Sequence, residues 1–295
     1  MPAPVRRPRY VVHDGFRMPM GFPVEGFGSG LRYRPRASDV FVCTYPKCGT
    51  TWMQYIVFLI RSRGQPLGPG QRLDQVFPHL EEVGAGPVEK LPEPRLIKTH
   101  LPFSMVPYDA AARYIYVARN PFDCAVSFFH HTRGFVQHYD FADGTFDDFF
   151  ECFIAGEVDF GDYFEHLLSW YARKDDSNVL FVTYERMQEE TEAVIREVGE
   201  FLGGAARDVV RDSRLVAAVL EESSFRSMSR EQRRWSSARA PGAPEFVRKG
   251  IVGDWRNHFS AEQARRLADE FARRTGGKGA YELWPDVVRE ALNTF

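Results

Sequence analysis

Four short runs limit what this chain can fold into: VFVCTY (40–45), RLIKTH (95–100), RYIYVAR (113–119) and NVLFVTY (178–184). Each reads as a short buried strand. Helical patterns lie among and after them. One runs from Thr50 to about Ile60, with Thr50 or Thr51 near its start. Another runs from Pro121, a residue suited to a first helical turn, to about His131. Further patterns cover 145–155, 161–173, 191–202 (stopped by Gly203-Gly204), 208–221 and 260–275. Strands alternating with helices need crossover connections, which imply an α/β fold with a central parallel sheet flanked by helices. Ligands in such sheets sit beyond the carboxyl ends of the strands. Lys47 just after the first run, His100 at the end of the second and Arg119 at the end of the third would therefore meet at one edge.

The other segments are less regular. Residues 1–37 are rich in Pro, Gly and Arg without a clear period, and read as an irregular segment laid over a single domain that spans 38–295. Residues 64–93 and 236–253 carry many Gly and Pro and read as loop. The chain has 295 residues, 44% of them hydrophobic, enough for one large core, with no repeat or charge block to suggest a second domain. A formal net charge of −2 argues against general binding of nucleic acid. The four cysteines, Cys43, Cys48, Cys124 and Cys152, form no CxxC pair and no zinc spacing, so they read as free thiols. The first residues lack an apolar signal region, and the run YIVFLI (55–60) is far too short to span a bilayer. A soluble, cytoplasmic protein with no membrane partner is expected.

Between the first strand and the first helix lies TYPKCGTTW (44–52). A phosphate-binding loop of the Walker type requires G-x-x-x-x-G-K-[ST], with its lysine after the glycine and its hydroxyl on magnesium. Here Lys47 precedes Gly49, and no acidic residue after a strand offers a magnesium site. The backbone amides and the helix start still favour an anion. The loop therefore fits an anionic nucleotide without a metal-bridged triphosphate.

This loop resembles the 5′-phosphosulfate loop of the cytosolic sulfotransferases, usually TYPKSGTTW. Three further segments resemble that family in the same order: Ile97 to Pro102 (IKTHLP), Tyr116 to Pro121 (YVARNP) leading to Ser127, and Arg248-Lys249-Gly250 with Gly253-Asp254-Trp255. The resemblance implies a P-loop-kinase-like fold and transfer of a sulfuryl group from 3′-phosphoadenosine 5′-phosphosulfate (PAPS) to a small acceptor. Adenosine 3′,5′-bisphosphate (PAP) is then the other product, and no metal is needed. It implies that Lys47 stabilises the leaving oxygen, where charge develops. Cys48, Gly49, Thr50 and Thr51 fall in the 5′-phosphate site, and Lys98 polarises the transferring group. His100 is the implied general base, a role that imidazole suits near neutral pH. Arg119 and Ser127 match one half of the 3′-phosphate site, and Arg248, Lys249 and Gly250 the other. Trp52 and Phe225 would sandwich the adenine, with Tyr184, Ser223 and Met228 beside it.

Several positions depart from the family pattern. Cys48 stands in place of Ser; a thiol is a weaker donor, and one sensitive to oxidation or alkylation if exposed. The resemblance puts Phe22, Phe77, His79, His131 and Phe135 at the acceptor pocket, with His79 and His131 where aromatics are common. Two histidines would make the pocket more polar than a simple-phenol site, favouring catechols, hydroxylated amines or other polar phenols. No acidic residue replaces a pocket aromatic, so no amine counter-ion is evident. The family's dimer motif, K-x-x-x-T-V-x-x-x-E, is altered over Arg256–Arg265, which leaves a monomer as plausible as a weak homodimer. Two rival readings are a nucleotide kinase-like phosphotransferase, which predicts a Walker lysine and magnesium, and a non-catalytic binding relative, which predicts loss of Lys47 or His100.

Overall fold

The chain enters the fold through a hairpin, not through irregular backbone. The computed structural model describes residues 5–236, 242 and 245–293, so the loop expected over 236–253 is described only in part. Strands β1 (Tyr10–His13) and β2 (Phe16–Pro19) pair antiparallel across Asp14 and Gly15, at φ 50° and 81°. Asp-Gly suits such a two-residue left-handed turn, a signal that the surrounding Pro and Arg obscured. The Arg9 and Met20 amides donate to the Tyr139 and His138 carbonyls at 2.7 and 3.0 Å, and the Phe160 amide donates to Arg17 O at 2.9 Å. Helix α1 (Val24–Leu31) follows and buries Phe27.

Strands β3 (Val40–Thr44), β4 (Leu96–Thr99), β5 (Arg113–Ala118) and β6 (Val179–Thr183) form a parallel sheet in the order β4-β3-β5-β6. Both faces are covered, which is why three of the four runs are mostly apolar, while RLIKTH gives Leu96 and Ile97 to the two faces. Alternate residues divide between two cores: Phe41, Cys43, Ile97, Tyr114 and Tyr116 in one, Val40, Val42, Leu96, Ile115 and Val117 in the other. Helix α2 (Thr50–Arg61) closes the second core with Met53, Ile56 and Ile60. Helix α3 (Pro121–Gly134) closes the first with Phe122, Val126 and Phe128. Full burial of each such side chain contributes roughly 1.5–3 kcal/mol. Pro121 does occupy the first turn of α3, and the Asn120 side chain accepts the Asp123 amide at 2.8 Å.

Elsewhere the structure is more helical than expected. Residues 64–93 hold helical turns at Leu73–Val76, Leu80–Val83 and Ala85–Glu89. The pattern over 208–221 is two helices, Gly204–Arg211 and Ser213–Glu222, broken where Asp212 takes the Arg214 amide at 2.9 Å. A helix at Pro285–Asn293 has no counterpart in the sequence reading. No helix among the described residues is long and apolar enough to cross a membrane.

Candidate active site

One cavity of about 570 Å³ opens at the carboxyl edge of the sheet and is lined by Lys47, Lys98, His100 and Arg119 together. The loop after β3 turns through two left-handed residues. Lys47 and Gly49 both have left-handed backbone, at φ 70° and 94°. Lys47 pays for this conformation with of order 1 kcal/mol of strain. A Cβ on Gly49 would stand 2.7 Å from the Tyr184 ring, so only glycine lets the loop pass that close. The Lys47 ammonium lies 4.3 Å over the Phe246 ring and 3.5 Å from His131 Nδ1. Thr50, Thr51 and Trp52 line the cavity from the first turn of α2.

Cys48 does not line it. Its buried Sγ lies 3.8 Å from Cys124 Sγ and from the Pro46 carbonyl, and burial raises its pKa well above that of a free thiol. The side chain is thus neither a phosphate donor nor an exposed thiol.

His100 is held in one tautomer. Its Nδ1 stands 2.8 Å from the Thr44 carbonyl, which can only accept, so Nδ1 carries the proton and Nε2 keeps its lone pair. The His100 amide donates to Glu81 Oε1 at 2.5 Å, and its carbonyl accepts from His166 Nε2 at 3.0 Å. Burial, then Lys98 and His79, depress its pKa well below the ordinary histidine value, which keeps the imidazole neutral. Burial likewise lowers the pKa of Lys98.

The guanidinium of Arg119 stacks 4.2 Å over the Tyr184 ring. It donates to the Lys47 and Ile251 carbonyls at 3.2 and 3.3 Å, and its buried Nε has no hydrogen-bond partner among the described residues. Arg248 and Lys249 each reach Asp254 at 2.6 Å. Against the opposing effect of burial, Lys249, Asn257 and Arg248 hold Asp254 well below the usual carboxylate range. Asp123 takes the Gly253 and Trp255 amides at 2.7 and 3.0 Å, which fixes this loop to the start of α3. Gly250 (φ 63°) packs against Phe225, where a Cβ would stand 2.5 Å from the ring. Ser127, Tyr184, Phe225, Met228, Arg248, Lys249 and Gly250 all line the cavity.

Ser223 does not. It is buried at the end of helix Ser213–Glu222; its neighbour Ser224 lines the cavity and caps the turn Phe225–Met228. The shift is one residue, because Ser224 must hold the extended cap conformation that turns the chain toward the mouth.

Phe22, Phe77, His79, His131 and Phe135 line the cavity as well. The His79 ring meets His100 at 4.9 Å and Phe22 at 5.3 Å, and burial, then Lys98, depress its pKa. Sequence reasoning missed Phe160, whose ring is 5.0 Å from His100, and also Tyr139, Phe246 and Asp159. Phe160 has φ 63° beside Gly161, a backbone no pattern forecasts. Asp159 is an acid that the sequence reading did not name: it lines the cavity, as Asp74 and Glu82 do, and is 1% exposed. Its only signal was a charge between Val158 and Phe160 in a turn-like stretch. Among the described residues no group of His, Cys, Asp and Glu could hold a metal ion.

A family profile described as "Sulfotransferase domain" matches residues 37–279. Human "Sulfotransferase 1C2" is 32% identical over 265 residues, covering 86% of this chain and 88% of its own. Rabbit "Amine sulfotransferase" is 36% identical over 240 residues, 79% of each chain. A solved mouse structure, "sulfotransferase SULT7A1 complexed with PAP", superposes with a TM-score of 0.76 at 28% identity, covering 95% of this chain and 99% of that one. The fold and the matched domain define a transferase. The chain belongs to the sulfotransferase family, and it is an enzyme of that kind.

Proposed function

We propose that this enzyme moves a sulfuryl group from PAPS to the hydroxyl, or amine, of a small acceptor, with His100 as general base. The observation that carries the reading is the convergence of Lys47, Lys98, His100 and Arg119 on one cavity from three strand ends. The residues present fit the donor nucleotide. Buried polar atoms without partners among the described residues, Arg119 Nε and Trp52 Nε1, face a need for acceptors that phosphate and purine supply. The bare backbone at Gly49 and Gly250 leaves room beside Tyr184 and Phe225 for close approach. Mouse SULT7A1, named above with bound PAP, adds support by likeness.

In this reading Gly49, Thr50 and Thr51 hold the 5′-phosphate. Arg119, Ser127, Arg248, Lys249 and Gly250 hold the 3′-phosphate, in part through the fork geometry of Arg. Trp52, Tyr184, Phe225 and Met228 hold the adenine. PAPS supplies an activated sulfuryl group. The acceptor oxygen attacks its sulfur in line, the sulfur–oxygen bond to the 5′-phosphate breaks, and the acceptor's proton passes to His100 Nε2. Lys47 balances the charge on the departing phosphate oxygen, and Lys98 that on the sulfuryl oxygens. The acceptor lies among Phe22, Phe77, His79, His131 and Phe135, a pocket suited to a phenol, catechol or phenolic amine.

The test is transfer from labelled PAPS to simple phenols, catecholamines, phenolic amines, alcohols and hydroxysteroids, with chelator present. Transfer that persists in chelator supports the reading. Absence of PAPS binding overturns it, and chelator-sensitive transfer from a nucleoside triphosphate would favour a phosphotransferase.

A further inference from the structure

Asp159 is a buried carboxyl that lines the cavity. Its Oδ2 accepts the Tyr139 hydroxyl at 2.8 Å; its Oδ1 has no hydrogen-bond partner in another described residue. No ion pair reaches it among the described residues. Burial pushes its pKa up to about 7, opposed only by the Tyr139 hydroxyl and its own backbone amide. An ionisable group left this way costs folding energy, and such groups in a cleft mark functional sites.

Its position suits a role toward the acceptor. Phe160, the next residue, sets its ring 5.0 Å from His100 and 5.9 Å from His79. Asp159 lines the same cavity as His100, so an acceptor whose hydroxyl meets His100 shares that cavity with the carboxyl. The support is rigid. The Tyr139 carbonyl takes the Arg9 amide, and Phe160 is bonded to Arg17, so β1 and β2 brace both sides.

Lys47 and Lys98 line the same cavity as Asp159, with Lys47 Nζ 3.5 Å from His131 Nδ1, and Phe22, Phe135 and Phe160 also line it. A cation on the acceptor is repelled by the two lysines and attracted by the carboxylate and by ring faces such as Phe22, Phe135 and Phe160. We infer that Asp159, positioned by Tyr139, is the counter-ion for a protonated amine on an aromatic acceptor, and so presents the acceptor hydroxyl, not its nitrogen, to His100. The inference rests on the transfer reaction proposed above.

The probes are tyramine and 4-ethylphenol, which differ in the ammonium group. The readout is the ratio of their kcat/KM values with PAPS at about pH 8, and the ratio of their Kd values for the PAP-loaded enzyme. The wild type should favour tyramine by about 10-fold or more in both ratios, the discrimination expected of a buried charge-assisted contact. Asp159→Asn, which keeps the shape, should erase most of that preference, with folding checked by thermal unfolding. A wild type without preference overturns the inference, as does a variant that loses both substrates equally or keeps the ratio. Equal Kd values in wild type overturn the inference even if the variant fails to fold. If neither phenol is sulfated but the Asp159-dependent Kd preference persists, the transfer reading has failed and the amine site stands.

Discussion

At the scale of single residues, the proposed roles in the site rest on which atoms face the cavity. His100 offers Nε2 because Thr44 engages Nδ1, and burial keeps the ring neutral. His100→Ala should lower kcat by at least about 100-fold while PAP binding, read by calorimetry, stays within about 3-fold. An equal loss of PAP affinity would make His100 a structural residue. Cys48 carries the opposite expectation. Its Sγ faces Cys124 and Pro46, away from the cavity. Folded enzyme should resist iodoacetamide at Cys48 for as long as it stays folded, and mass spectrometry after urea should show the label appear. Labelling of the native protein would contradict the burial seen. The lesson about legibility is local. Lys47, His100 and Arg119 were readable because each follows a recognisable strand. Asp159 was not, because nothing in Val158-Asp159-Phe160 announces that β1 and β2 will fold over it.

At the scale of elements, the parallel sheet, α2 and α3 were visible in the spacing of apolar runs and their caps. The hairpin and the short turns of 64–93 were not, since Gly and Pro mark chain reversal without telling which reversals carry hydrogen bonds. One joint between elements has a measurable role. Asp123, on α3, accepts the amides of Gly253 and Trp255 and so positions Arg248 to Gly250. Asp123→Ala leaves two buried amides unpaired, which costs on the order of 3 kcal/mol. Urea unfolding should show that loss, and the Kd for PAP should rise about 10-fold. An unstable variant with unaltered Kd would show that the loop does not depend on this joint.

At the scale of the whole molecule, two sets of buried groups oppose each other across acidic pH. His79 and His100 are depressed well below the ordinary value, and His130 and His166 to about 4, each chiefly by burial. Below about pH 6.5 the unfolded chain binds protons there that the folded chain refuses, so acid destabilises. Glu81 and Asp159 are raised to about 7, again chiefly by burial. There the folded chain keeps protons that the unfolded chain releases above about pH 4, so this stability is lost as pH rises toward 7. Asp159→Asn removes one member of the second set. It should stabilise the protein more at about pH 8 than at about pH 5, by on the order of 2–3 kcal/mol in urea unfolding. No difference between the two pH values would mean that Asp159 ionises freely when folded. The sheet itself carries a different consequence. The groups proposed to react stand on or just after β3, β4 and β5, whereas the proposed acceptor wall comes mostly from connections: Phe22, Phe77, His79, residues between 131 and 139, Asp159 and Phe160. Descent can therefore act on the two unequally. A lineage built on this plan inherits its chemistry from strands that tolerate little change, and draws its variety of acceptors from connections that tolerate much.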